Sequence, residues 1–229
     1  VKSTITVAGS HGKTTTVSLI AEILDKAKLD PTVINGGIIN SYGSNTKLGT
    51  SDLMLVETDE SDGSFSLLPS FGGVITSIDN EHIDFYGSKK KLVESFHSYI
   101  RNISPFGFLA VSEKDKNIQA ILKNYKSLNI YKYGFSNNSD IQAKIVKKNK
   151  DGIIFDVEIK SLNKKNSFIR NINFPLIGNH NVENALAAIS VCINFKINKS
   201  IIKNSLETFH GVKRRLTKIY DNNEIIFFD

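Results

Sequence analysis

Ile5-Thr6-Val7-Ala8-Gly9-Ser10-His11-Gly12-Lys13-Thr14-Thr15-Thr16 is the stretch on which the fold of this chain turns. A short β-branched run enters a tight glycine turn. A lysine and three threonines then open the helical spacing Val17, Leu19, Ile20, Ile23, Leu24. That order gathers backbone N–H groups, a helix N-terminus and an ammonium around one point, which suits a polyphosphate. Gly9, Ser10, His11, Gly12, Lys13, Thr14 and Thr15 are therefore candidate nucleotide-binding residues. The Thr14 hydroxyl falls where a phosphate-bound Mg²⁺ needs an oxygen ligand. The spacing departs from the standard phosphate loop. Only Ser10 and His11 separate Gly9 from Gly12, and Val7 holds the usual leading glycine position. The alternative is a glycine turn that merely joins strand to helix, which leaves a lysine directly after Gly12 without a packing purpose.

Two further strand ends point the same way. Leu53-Met54-Leu55-Val56 reads as a buried strand ending in Glu57, with Asp59, Glu60 and Asp62 close behind. Carboxylates so crowded repel one another unless a cation or water separates them. Phosphate-binding folds use such a carboxylate to hold magnesium, directly or through water. Alone, the cluster would be a solvated acidic turn; after a glycine–lysine loop, Glu57 is a candidate metal ligand. A third strand, Gly73 to Ile78, empties into Asp79-Asn80-Glu81-His82-Ile83-Asp84, where His82 is either a second metal ligand or a surface histidine. In open α/β sheets, ligands bind beyond the strand carboxyl ends.

These segments resemble the central, ATP-binding domain of the Mur ligase family, the amide-bond-forming enzymes of peptidoglycan synthesis. The matching stretches are Gly9 to Thr16, Glu57 to Phe65, Asp79 to Gly87, Pro105-Phe106-Gly107, Gly178-Asn179-His180-Asn181-Val182-Glu183-Asn184-Ala185, and Gly211-Val212-Lys213-Arg214-Arg215-Leu216. They stand in family order across nearly the whole chain. Glu60-Ser61-Asp62-Gly63-Ser64-Phe65 resembles the alanine-adding branch more than the murein-peptide-recycling one. Some sibling ligases carry a carboxylated lysine some way after the histidine; here Phe96-His97 stands at that distance, which again favours the alanine-adding branch.

The resemblance implies an ATP- and Mg²⁺-dependent ligase acting in the cytoplasm on UDP-N-acetylmuramate and L-alanine. Lys13 and the loop amides would hold the β- and γ-phosphates, and Thr14 and Glu57 would organise Mg²⁺. His82 would bind a second Mg²⁺. The resemblance raises Asn181 and Asn184, which share a face on a helical first turn, to nucleotide contacts. Asn181 is equally a candidate N-cap. His180 is either a cap neighbour or a substrate contact. Arg215 matches the family's phosphate-contacting arginine, whose planar fork suits phosphate oxygens, and Arg214 supports the loop. The family also places an aspartate in the following strand, either Asp229 or the residue after it.

The 229 residues and 40% apolar content fit one α/β domain, expected to span residues 1–229. The chain opens at Val1 just before the loop and stops at Asp229 inside a strand pattern, so both ends are expected to be cuts. The resemblance implies an upstream UDP-binding domain and a downstream domain outside this sequence. The charge of +6 is spread over lysine–asparagine–isoleucine segments such as Lys144 to Lys150 and Lys160 to Lys165 without aromatic interleaving, which argues against nucleic acid. Cys192 lies in an apolar helical pattern, reads as core and suits a reducing cytosol. No apolar run approaches the roughly 18 residues of a membrane span.

Strands and helices alternate to about residue 133: helix Lys13–Lys28, strand Thr32–Ile34, a glycine turn at Gly36-Gly37, helix Lys89–Ile103, strand Phe108–Val111, helix Asn117–Tyr125 and strand Asn129–Tyr133. This predicts a mainly parallel sheet flanked by helices, phosphate-loop NTPase-like. Lys89-Lys90-Lys91 is either a solvated face or a reach toward an anionic substrate. Between about 136 and 175 the pattern becomes antiparallel. Ala143–Val146 and Ile153–Ile159 flank the hairpin signal Asn149-Lys150-Asp151-Gly152, and Ile169–Phe174 ends at Pro175. A small antiparallel sheet appended to the main one is expected, followed by helices Asn181–Asn194 and Ser200–Phe209. Two rivals compete with the ligase: a phosphate-loop ATPase without ligase activity, and a nonenzymatic nucleotide-binding module. The isolated fragment is expected to be inactive.

Overall fold

A computed structural model describes residues 3–61, 63–79, 83–161, 165–213, 218–221 and 226–228. Strand β1 (Ser3–Ala8) is followed by helix α1 (Lys13–Lys26), then β2 (Thr32–Ile39), β3 (Ser44–Lys47), β4 (Leu53–Glu57) and β5 (Ser70–Ile75). A short helix α2 (Ile83–Tyr86) precedes α3 (Lys89–Arg101), β6 (Ile103–Ser112), α4 (Lys116–Leu122) and β7 (Ile130–Gly134). Next come β8 (Ile141–Asn149), β9 (Gly152–Ile159), β10 (Ser167–Phe174), α5 (Asn179–Asn194) and α6 (Lys199–Glu207). Strands β11 (Lys218–Asp221) and β12 (Ile226–Phe228) pair with each other.

Among the described residues, strands β1 to β10 form one sheet in the order β10-β9-β8-β7-β6-β5-β1-β4-β2-β3. From β2 to β8 the pairings are parallel, and the two margins are antiparallel. The central strands are buried runs, as a sheet covered on both faces requires: Ile5 to Ala8 and Gly72 to Ile75 are wholly buried. Helices α1, α5 and α6 pack over one face and α3 and α4 over the other, each with its own apolar cluster. Helix α5 carries the small residues Ala185, Ala187, Ala188 and Ser190, all buried, so it can lie close between α1 and the sheet.

The antiparallel part expected near 136–175 is present, but it is no separate layer. Strand β8 pairs in parallel with β7, and β9 and β10 extend the same sheet. Its hairpin is the one the sequence signals, with Asn149 opposite Gly152. Cys192 is buried core, and burial pushes its thiol up from the ordinary value.

Three sequence expectations need correction. Gly36 and Gly37 are not a turn: β2 continues through them to Ile39, with an irregularity against β3 between Ile34 and Ile39. The third strand begins and ends earlier than expected, at Ser70 and Ile75, which frees Thr76 to Asp79 as a loop. Asn181 is not an N-cap. Helix α5 starts two residues before it, at Asn179, and Gly178 with φ 91° occupies the cap position.

Candidate active site

Strand β1 is an interior strand of the sheet with β4 on one side and β5 on the other. Its carboxyl end therefore opens at the point where neighbouring connections diverge, the usual ligand crevice of such sheets. The turn there needs its glycines. Gly9 has φ 124°, and a Cβ on it would stand 2.4 Å from Thr76 Oγ1. Gly12 has φ 83°, and its Cβ would stand 2.4 Å from Asn184 Oδ1. Helix α1 begins immediately after Gly12 with no side-chain cap and no acidic residue in its first turn. Its leading N–H groups thus lack i−4 carbonyls and face the crevice mouth, a ready anion site.

Not every loop amide is available. Ser10 N–H donates to Ser77 O at 3.0 Å, and His11 N–H donates to Ser77 Oγ at 3.1 Å. Asp79 N–H donates back to Ser10 Oγ at 2.9 Å, and His11 Nε2 lies 3.4 Å from Asp79 Oδ2. The loop is stapled to the segment after β5, which leaves the amides from Gly12 onward to meet a phosphate. Ser77 is a supporting residue that the sequence did not single out.

The acidic run divides rather than clusters. Glu57, the last residue of β4, accepts from Thr14 Oγ1 at 2.9 Å and from Gly36 N–H at 2.6 Å. Glu60 turns the other way and takes Lys13: its Oε1 and Oε2 lie 3.0 and 2.8 Å from Lys13 Nζ, which also donates to Gly9 O at 2.7 Å. Asp59 is exposed, and Asp62 lies outside the described residues. Among the described residues no group of three or more His, Cys, Asp or Glu is placed to cage a metal. The Thr14 hydroxyl and Glu57 carboxylate are an oxygen-only pair beside an anion site, a donor set that fits Mg²⁺, which keeps waters and phosphate oxygens as its remaining ligands.

Two hollows flank the loop. The smaller, about 490 Å³, lies over Lys13, Thr14, Thr15, Asn35, Gly36 and Glu57. The larger, about 660 Å³, lies between the ends of β5 and β6 and the start of α5, lined by Thr76, Asp115, Asn117, Tyr133, His180 and Asn184. Lys114 bridges its rim to Glu183 at 2.7 Å. Burial, then Glu183 and Asp115, push the Tyr133 phenol above its ordinary value, so it remains a neutral hydroxyl. Asn184 lines the larger hollow and donates to Asn181 Oδ1 at 3.3 Å, so the two asparagines do share a face. Asn181 is buried, and its own amide donates to Ile177 O at 2.8 Å. Its contacts orient Asn184. His180 is exposed, its ring folded over Gly178, where a Cβ would meet it at 2.5 Å.

Lys89, Lys90 and Lys91 are exposed, with the Ser88 side chain capping Lys91 N. His82, Arg214, Arg215 and Asp229 lie outside the described residues. The approach to Arg215 is described as far as Lys213. Lys213 N–H donates to Ile38 O at 3.0 Å, and Val212 bridges to Ile39. A Cβ on Gly37 would touch both Thr14 Cγ2 and Val212 Cγ1, so Val212 lies on the Thr14 side of the loop. Among the described residues, no helix is long and apolar enough to cross a membrane.

Comparison with known proteins bears on the family and the fold. The family profile described as Mur ligase middle domain matches residues 7–192. The UDP-N-acetylmuramate–L-alanine ligase of Pelagibacter ubique is 45% identical over 225 residues, 98% of this chain and 48% of that protein. The enzyme of the same name from Rhodospirillum centenum is 42% identical over 229 residues, 100% of this chain and 47% of that protein. Among solved structures, a murein peptide ligase from Psychrobacter arcticus superposes with a TM-score of 0.79 at 25% identity, covering 100% of this chain and 51% of that one. The UDP-N-acetylmuramate-alanine ligase of Thermotoga maritima gives 0.80 at 24% identity over 97% of this chain and 48% of that one, a likeness of fold. The chain spans about half the length of the relatives it matches.

Proposed function

We infer the function from one premise: this chain belongs to the Mur ligase family, as its middle domain. The protein it serves is proposed to be an ATP-dependent ligase of peptidoglycan precursor synthesis that joins L-alanine to UDP-N-acetylmuramate in the cytoplasm. The observation that carries this reading is the uncapped start of α1, with the Thr14–Glu57 oxygen pair on one side and the Asn184-lined hollow on the other.

A free carboxylate is a poor electrophile. In the proposed reaction the carboxylate of the sugar nucleotide attacks the γ-phosphorus of ATP, the bond to the β–γ bridging oxygen breaks, and ADP leaves. The amine of alanine then attacks the acyl carbon of the resulting acyl phosphate. Phosphate departs, the amine gives up a proton, and an amide remains. For such chemistry a protein chiefly positions groups and offsets charge. Lys13 and the amides from Gly12 onward are suited to the β- and γ-phosphates, and the larger hollow to the nucleoside beside Asn184. Thr14 and Glu57 would hold Mg²⁺, which supplies charge neutralisation at the phosphates. His82 as a further metal ligand and Arg215 as a phosphate contact remain part of the proposal.

The test is ATP consumption by the intact protein. Phosphate release is expected only with UDP-N-acetylmuramate and L-alanine both present, and is expected to vanish in Lys13→Ala. Equal turnover without the sugar nucleotide would assign the loop to a plain ATPase. Turnover with a murein peptide in place of alanine would move the chain to the recycling branch.

A further inference from the structure

The Glu60 carboxylate is buried, 1% exposed, and it faces the ammonium of the loop. Its segment is anchored at several points. Thr58 N–H and Oγ1 both donate to Val7 O, at 2.9 and 3.0 Å. Gly63 N–H and the Tyr86 hydroxyl both donate to Glu60 O. These bonds hold the Glu60 backbone in place, which keeps its carboxylate within reach of Lys13. Lys13 is also confined, since its side chain is 14% exposed and donates to Gly9 O as well as to Glu60. Glu57 stands one residue further along the loop, at Thr14. Among the described residues, two carboxylates thus stand beside the Lys13 ammonium of a site read as a triphosphate cradle.

We propose that Glu60 makes nucleotide capture conditional on a divalent cation, discriminating a metal-complexed triphosphate from a bare one. The proposal rests on the reading of the loop as a triphosphate site. With no acidic partner, a loop lysine would lend its full attraction to a triphosphate with or without metal. Here Glu60 already offsets the Lys13 charge, so a bare triphosphate draws less attraction from the loop and is repelled by the Glu57 and Glu60 carboxylates. The site is partly buried, where such repulsion is several-fold stronger than in water. A triphosphate carrying Mg²⁺ brings its own compensation and offers the cation to the Thr14–Glu57 oxygens. Glu60 acts through Lys13 and touches no reacting atom. It is a specificity-determining residue by charge.

The experiment is calorimetric titration of the intact protein with ATP, in excess Mg²⁺ and in EDTA, for wild type, Glu60→Gln, Glu60→Asp and Lys13→Met. The readout is the ratio of the two affinities. Glu60→Gln is expected to shrink that ratio about tenfold, through tighter binding in EDTA, and Glu60→Asp to retain it. Lys13→Met leaves Glu60 uncompensated and is expected to widen it. If Glu60→Gln does not fold, the double variant Lys13→Met with Glu60→Gln removes both charges of the buried pair, a change such pairs tolerate. Its ratio is expected to be narrower than that of Lys13→Met alone. A ratio unchanged within twofold by removing the Glu60 charge overturns the proposal and makes Glu60 a packing acid. If wild type binds ATP under neither condition, the triphosphate reading itself fails, a distinct outcome.

Discussion

The backbone N–H of Gly36 donates to Glu57 Oε2 at 2.6 Å, and a methyl group on Gly36 would stand 2.7 Å from Glu57 Oε1. A glycine on β2 thereby sets where the carboxylate at the end of β4 points. In Gly36→Ala the atoms encountered are the far end of a side chain that can rotate away. Stability is expected to change by less than about 1 kcal/mol, while the Mg²⁺ concentration for half-maximal ATP turnover rises about tenfold, a shift of the order of one good ligand contact. Magnesium titrations of turnover, with thermal melts as control, check this. A lower melting temperature with an unchanged magnesium requirement would assign Gly36 to packing.

Thr14 is buried at 7% exposure, and its hydroxyl reaches Glu57 Oε1. Thr14→Ser keeps that oxygen and is expected to retain most activity. Thr14→Ala loses it, at roughly 1 kcal/mol of stability, and is expected to need far more Mg²⁺. Equal magnesium requirements in the two variants would show that the hydroxyl is no ligand.

Lys47 ties the margin strand β3 to α1 and the loop after it, with Nζ 2.6 Å from Asp25 Oδ1 and 2.7 Å from Asp30 Oδ1. Hydrogen bonds from Lys47, then Thr50, hold the Asp30 carboxyl well below the usual carboxylate range. Burial opposes the Lys47 charge, yet Asp25 and Asp30 outweigh it and raise the ammonium above its ordinary value. A lowered acid contributes stability above its unfolded value near 3.9 and loses it as pH falls through the folded one. A raised base contributes below its unfolded value of about 10.4 and loses it as pH rises through the folded one. The stability gap between Lys47→Met and wild type is therefore expected to be widest between about pH 5 and 9 and to close at both extremes. Denaturant unfolding across that range is the measurement, and a gap independent of pH would leave only lost packing.

Beneath the phosphate turn, Tyr99 on α3 places its hydroxyl 2.9 Å from Thr6 Oγ1 and donates to Thr6 O at 3.0 Å, fully buried. Thr6 Oγ1 also meets Ser70 Oγ at 2.9 Å, so β1, β5 and α3 share one polar knot inside the apolar core. Burial pushes the Tyr99 phenol up, which keeps it a donor throughout the ordinary pH range. Tyr99→Phe is expected to cost about 1–3 kcal/mol in urea unfolding, with the magnesium requirement of turnover unchanged. Loss of turnover without loss of stability would place the phenol in the chemistry instead.

Local pattern carried much of the fold. The 3.6-residue spacing of Val17, Ile20 and Leu24 placed α1, and Asn149 to Gly152 marked the hairpin, because both rest on contacts between near neighbours. What escaped the sequence depends on distant partners. A double glycine looks like a turn until Glu57 is seen lying against it, and nothing local reveals that β2 runs straight through. Asn181 resembled a cap because helix starts blur by a turn, and Gly178 took the role. The acidic run resembled one cation site, but Glu57 and Glu60 leave the turn in different directions, to Thr14 and Lys13. That division is set by where the loop after β1 stands, 43 to 47 positions away in sequence.

Gly12 and Asn184 compete for a single volume, since any side chain on the first would enter the space of the second's amide oxygen, 2.4 Å away. A lineage that exchanges the loop glycine, whose φ of 83° already disfavours a side chain, is expected to shrink or re-aim the asparagine as well. Across an alignment of relatives these two columns should change together or stay still together.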